Sequence, residues 1–151
     1  MVRVVRTVPE LPEGSWWDWD VVTSTPELFV LGADYDLTYH HGLELRFQEP
    51  LFVRCPAEQF HDPVFRAATG AEEEWVARAV GGTPGVLVAF ECDDGGAVQA
   101  TGLVAARRLE VATGVVFRYW REHLEPGQRR APWVRPPAAP SAAPPGATGR
   151  R

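Results

Sequence analysis

From Phe29 to Phe47 the chain reads FVLGADYDLTYHHGLELRF, and every odd-numbered position except His41 is apolar. A period of two is the mark of a strand with one buried face; a helix scatters such residues around its axis. Folding the run about His40-His41-Gly42 sets Tyr39 opposite Leu43, Leu37 opposite Leu45 and Tyr35 opposite Phe47. Phe29, Leu31 and Ala33 extend the same face. On the other face Asp36 meets Arg46 and Thr38 meets Glu44. Gly42 then takes the left-handed place of a three-residue hairpin loop. On this reading His40 and His41 are loop-tip residues in solvent.

The alternation continues after the Glu49-Pro50 break in LFVRC, residues 51–55. It returns in GVLVAFEC (85–92) and, beyond the DDGG turn, in AVQATGLVAA (97–106). RRLEV and VVFRYW follow, separated by a turn at Ala112-Thr113-Gly114. Between the two β-rich stretches the period changes. Asp62-Pro63 looks like an N-cap followed by a first helical residue. Thr69 with Glu72 makes a capping-box pattern, and Gly81-Gly82 a stop. Trp75, Val76, Ala79 and Val80 form the packing stripe of a helix of about ten residues. The expected fold is α+β and β-rich. An antiparallel sheet of about six or seven strands curls into a barrel or folds into a sandwich, with one main helix.

Residues 1–124 carry ten arginines against nineteen acidic residues, a net of −9, and read as a single globular domain. Residues 125–151 carry five arginines against one glutamate, a net of +4, and hold half of the fourteen prolines. With Trp133 and Val134 as their only sizeable apolar groups they read as a disordered tail. Deleting 126–151 is accordingly expected to leave the melting temperature nearly unchanged. All fifteen basic residues are arginine, which fits the coding bias of a GC-rich bacterial genome.

An acidic body repels phosphate backbones and argues against nucleic-acid binding; it suits a basic protein partner. No stretch approaches the roughly 20 apolar residues of a membrane span, and the N-terminus lacks a signal-peptide core. A cytoplasmic protein is expected. Cys55 and Cys92 sit in no paired motif and read as buried thiols in a reducing compartment.

The richest candidate binding segment is SWWDWD. Trp16, Trp17 and Trp19 supply large contact area, and Asp18 and Asp20 supply charge, a composition suited to a protein partner or to a planar or hydrophobic ligand. As a strand it places Trp17 and Trp19 on one face and Trp16, Asp18 and Asp20 on the other; as a helix from Ser15 it places Trp16, Trp19 and Asp20 on one side. No HExxH, GxSxG, P-loop or GxGxxG is present. No catalytic set, metal site or cofactor is expected. Besides structural self-assembly through exposed sheet edges, two functions remain open. One is a non-catalytic interaction module that masks or recruits a partner, as a toxin-neutralising or regulatory subunit would. The other is a small-molecule-binding barrel with weak acid–base activity, for which His41 or His61 is the candidate.

Overall fold

The computed structural model describes residues 5–82 and 85–139. Eight strands and one helix follow in order: β1 (Val5–Arg6), β2 (Asp18–Ser24), β3 (Leu28–Asp34), β4 (His40–Arg54), β5 (Gln59–Arg66), α1 (Gly70–Val80), β6 (Val86–Asp93), β7 (Ala100–Phe117) and β8 (Arg129–Arg130). The order β6-β5-β2-β3-β4-β7 is closed by β6 pairing with β7. Every pairing around this six-stranded barrel is antiparallel. β1 adds to β6, and β8 to β7, as short parallel strands. The expected β-rich α+β fold is present, and of its two forms the chain takes the barrel.

Alternation determines what fills the barrel. Phe29, Leu31 and Ala33 of β3 face the same core as Leu43, Leu45 and Phe47 of β4, joined by Trp19, Phe60, Phe90 and Val104. Trp19, Phe60 and Phe90 are fully buried, and Phe60 stacks on Phe90 at 5.2 Å. Gly102 is required where it stands: a Cβ there would come within 2.1 Å of the Phe90 ring. Truncating an aromatic group of this kind costs about 3–5 kcal/mol through lost transfer energy and the cavity left behind.

The helix begins where the capping box places it. Thr69 accepts from the Glu72 N–H, Glu72 accepts from the Thr69 N–H, and Gly81 ends α1 in the left-handed conformation at φ 64°. Val76 lies beneath it against Leu87 and Leu103, and Trp75 meets Phe52 edge-on at 5.2 Å. Arg66 grips Glu72 with two hydrogen bonds of 2.7 and 3.0 Å.

Four local expectations are corrected. The β3–β4 hairpin turns at residues 35–39, with Ala33 opposite Leu43 and Leu31 opposite Leu45. His40, His41 and Gly42 are therefore inside β4, and Arg46 pairs with Glu44 and Glu110 while Asp36 binds Thr38 within the turn. β4 passes through Glu49-Pro50, with Glu49 at φ 51° and a register shift beyond Pro50. A bulge is where a strand tolerates a proline that cannot donate. β7 likewise runs through Ala112-Thr113-Gly114 without turning. Asp62-Pro63 starts no helix: it lies in β5, with Asp62 at φ 48° in a bulge between His61 and Val64.

Order also extends past residue 125, where the tail was expected to begin. Arg129–Arg130 form β8, Ala131 is buried and donates its N–H to the Phe117 carbonyl, and Arg118 lies over the Trp133 ring at 5.3 Å. Backbone pairing and arginine contacts, absent from the apolar count, hold the segment. Residues 140–151 of that expected tail lie outside the described residues. No helix among those described is long and apolar enough to cross a membrane.

Candidate functional site

Polar residues of β2 and β4 with the segment after β7 build one polar region, and residues of β2, β5 and β6 build a second. The first is a closed network. The Asp20 carboxylate accepts two hydrogen bonds from Arg118, of 2.5 and 2.7 Å. The Arg118 Nε–H donates to His41 Nδ1 at 3.1 Å. A guanidinium can only donate, so Nδ1 must accept and the ring proton sits on Nε2. That nitrogen faces the Glu44 carboxylate at 3.5 Å, short of a full hydrogen bond. Glu44 in turn accepts from Arg129 at 2.9 and 3.1 Å and from Arg46 at 3.3 Å.

His41 is wholly buried and Glu44 nearly so. Burial alone would push the Glu44 carboxyl up. The facing His41 N–H and the Arg129 and Arg46 guanidinium groups outweigh it and hold Glu44 at about 2. Gly32 makes room for all this, since a Cβ there would meet Val22 at 2.6 Å, Arg118 at 3.2 Å and His41 at 3.3 Å.

The second region is open. Trp17 precedes β2, is 48% exposed, and stacks on His61 at 4.3 Å. His61 Nε2 lies 3.2 Å from Asp18 Oδ1, and Asp18 also accepts from the Leu37 N–H and from Gln59. The Asp18–His61 pair stands between two shallow clefts. One, of about 350 Å³, is lined by Asp18, Asp20, Thr38, Glu58, Gln59 and Arg118 among others. The other, of about 360 Å³, is lined by Trp17, His61, Asp62, Asp93 and residues 96–99. Asp62 reaches that cleft because the β5 bulge and its positive φ re-aim the backbone, the kind of local cost that accumulates at functional sites. Among the described residues no arginine is within salt-bridge distance of Asp62 or Asp93.

The SWWDWD segment is thus divided by the fold. Trp19 is a core residue and offers nothing to a partner. The half-buried Trp16 packs against the same core and donates its indole N–H to the Pro12 carbonyl at 2.8 Å. Trp17 alone of the three is presented. Asp18 orients His61, and Asp20 is spent on Arg118. Of the two histidine candidates, His41 is sealed inside the network and only His61 reaches a cleft. The sequence reading missed Glu44, Arg118 and Arg129, whose contacts join positions 77 to 98 residues apart.

Cys55 and Cys92 are free thiols. Burial pushes both up, Cys92 to about 11, so neither is a ready nucleophile at neutral pH. No group of three or more His, Cys, Asp or Glu among the described residues is arranged to hold a metal ion. No family model matches the chain, and no curated protein or solved structure is found similar to it.

Proposed function

We propose that the protein is an interaction module whose open face masks or recruits a basic protein partner. The cleft beside Trp17 takes an arginine or lysine side chain. Its cation lies against the exposed indole and pairs with Asp62 and Asp93. The observation that carries this reading is a missing counter-charge: two carboxylates and an exposed tryptophan share a cleft into which none of the described residues sends an arginine. Composition supports it, because the acidic residues of 1–124 outnumber arginines nineteen to ten. The filled interior supports it too, since Trp19, Phe29, Phe47, Phe60 and Phe90 occupy the space an interior ligand would need.

The test is a titration with an arginine-rich peptide followed by tryptophan fluorescence. Binding is expected at low ionic strength and should weaken at about 0.3 M salt, where the Debye length falls well below 10 Å. Trp17→Ala and the pair Asp62→Asn with Asp93→Asn should each lower affinity about tenfold or more. Binding that ignores all three changes would overturn the reading.

A second reading has one specific observation behind it, the Asp18–His61 contact, which orients an imidazole as a general base is oriented. The cleft it faces is lined by no serine, threonine or cysteine, so such a base would act on water. A small molecule released from the purified protein on unfolding, and lost in His61→Gln, would favour this alternative.

A further inference from the structure

We propose that the segment following β7 is a proton-linked clasp, held shut by Arg118 while His41 is neutral and loosened by acid. Residues 118–135 are fastened to the barrel by a short strand pairing and by side chains. The Arg118 N–H donates to the Tyr39 carbonyl, β8 pairs with Val116 and Phe117, and Ala131 donates to Phe117. Side chains add Arg118 to Asp20 and His41, Arg129 to Glu44, Trp133 against Arg118, Tyr119 edge-on to Tyr39 and Phe117, and Arg121 over the Phe117 ring.

The linkage lies in one lone pair. His41 Nδ1 accepts the Arg118 Nε–H, so that nitrogen can hold Arg118 or a proton but not both. The charged groups around the ring are Asp20 on β2, Glu44 and Arg46 on β4, Arg118 after β7 and Arg129 on β8, while β3 contributes the uncharged Gly32. With the clasp shut, three arginines face the two carboxylates, and Nδ1 is occupied by the Arg118 N–H. When it opens, Arg118 and Arg129 leave together. Asp20 and Glu44 are then bare on either side of an imidazole, and a proton on Nδ1 replaces part of the lost positive charge. Opening therefore takes up a proton, and by linkage acid favours the open form. In that form Asp20 becomes an unpaired carboxylate on the rim of the first cleft, beside Asp18 and Glu58.

The decisive variant is His41→Asn. Its side-chain oxygen stands near where Nδ1 stood and still accepts from Arg118, yet it cannot titrate. The measurement is hydrogen exchange at the Ala131 and Arg118 amides, corrected for intrinsic rate, from about pH 7 to 5, where imidazoles gain charge. In the native chain the opening constant should rise by up to about tenfold per pH unit, the slope for one proton. In His41→Asn it should be flat. Equal slopes in the two proteins, or no slope in the native chain, would overturn the proposal. Should His41→Asn not fold, ¹⁵N-histidine spectra of the native chain give the same answer. Nδ1 should gain its proton in step with amide opening, and protonation with the amides still protected would refute the clasp.

Discussion

The two polar faces of the barrel are built from the same parts. Each has a histidine, a pair of carboxylates and a tryptophan: His41, Asp20, Glu44 and Trp133 in one, His61, Asp62, Asp93 and Trp17 in the other. They differ in arginine. The closed face has Arg118 stacked on Trp133 and bonded to Asp20, with Arg129 and Arg46 on Glu44. Among the described residues the open face has none. A carboxylate–aromatic pocket supplied with its own cations becomes framework; left without them, it is a receptor for someone else's. Arg118 in its setting is a working picture of what a partner's arginine would do beside Trp17.

The difference can be broken from the closed side first, where effects should be largest. Arg118→Ala leaves Asp20 uncompensated and removes the His41 contact, and should cost about 3–5 kcal/mol in denaturant unfolding. Asp62→Asn, a residue type that tolerates the left-handed backbone at φ 48°, should stay within about 0.5 kcal/mol. Comparable losses from the two changes would erase the distinction between the faces.

Removing residues 126–151 should have the next largest effect. It takes away Arg129, Ala131 and Trp133, exposing Glu44 without its best partner. A loss of about 2–3 kcal/mol is expected, or a melting temperature lower by several degrees. An unchanged melting point would return the segment to the tail that its composition suggested.

Acid titration gives a smaller, signed effect. Glu44 is held at about 2 in the folded protein against an ordinary value of 4.5. Its ionised form therefore stabilises the fold fully above about pH 4.5, and that stability is lost as pH falls through about 2. Glu72, held at about 2 first by its hydrogen bonds with Arg66, acts in the same direction. Glu44→Gln should flatten the stability curve across that window and leave its slope above pH 5 unchanged. A slope unaltered between about pH 4.5 and 2 would show that the Glu44–Arg129 contact is dispensable.

What the sequence disclosed and what it hid follow a physical line. The alternation identifies the buried face correctly on the two strands, at Phe29, Leu31, Ala33, Leu43, Leu45 and Phe47, because period two survives a shift of the turn; Tyr35 and Tyr39, expected on the same face, fall in the turn and are exposed. The turn itself was misplaced. Gly42 resembled a hairpin glycine, whereas the reversal uses Asp36 and Thr38 two residues apart, whose side chain-to-backbone bond closes the loop. Thr69 and Glu72 announced their helix because a capping box is local. Asp62-Pro63 gave the same kind of local signal, and the pairing of β5 with β2 and β6 overrode it. An exposed indole was legible in SWWDWD, but not that it is Trp17, which the strand pattern put on one face with the buried Trp19. The arginines that distinguish the faces carry no local signature, since only barrel closure brings Arg118 to Asp20.

The central claim is that an absent cation makes the Trp17 cleft a receptor, and it can be tested by supplying one. Val98 lines that cleft and is 81% exposed, so Val98→Arg places a guanidinium at Asp62 and Asp93 with little effect on the core. The measurement is the affinity of this variant for the arginine-rich peptide, beside the native chain in the same low-salt buffer. The account predicts native-like stability with binding weakened by about tenfold or more. A variant that folds normally and binds the peptide as tightly as the native protein would contradict it.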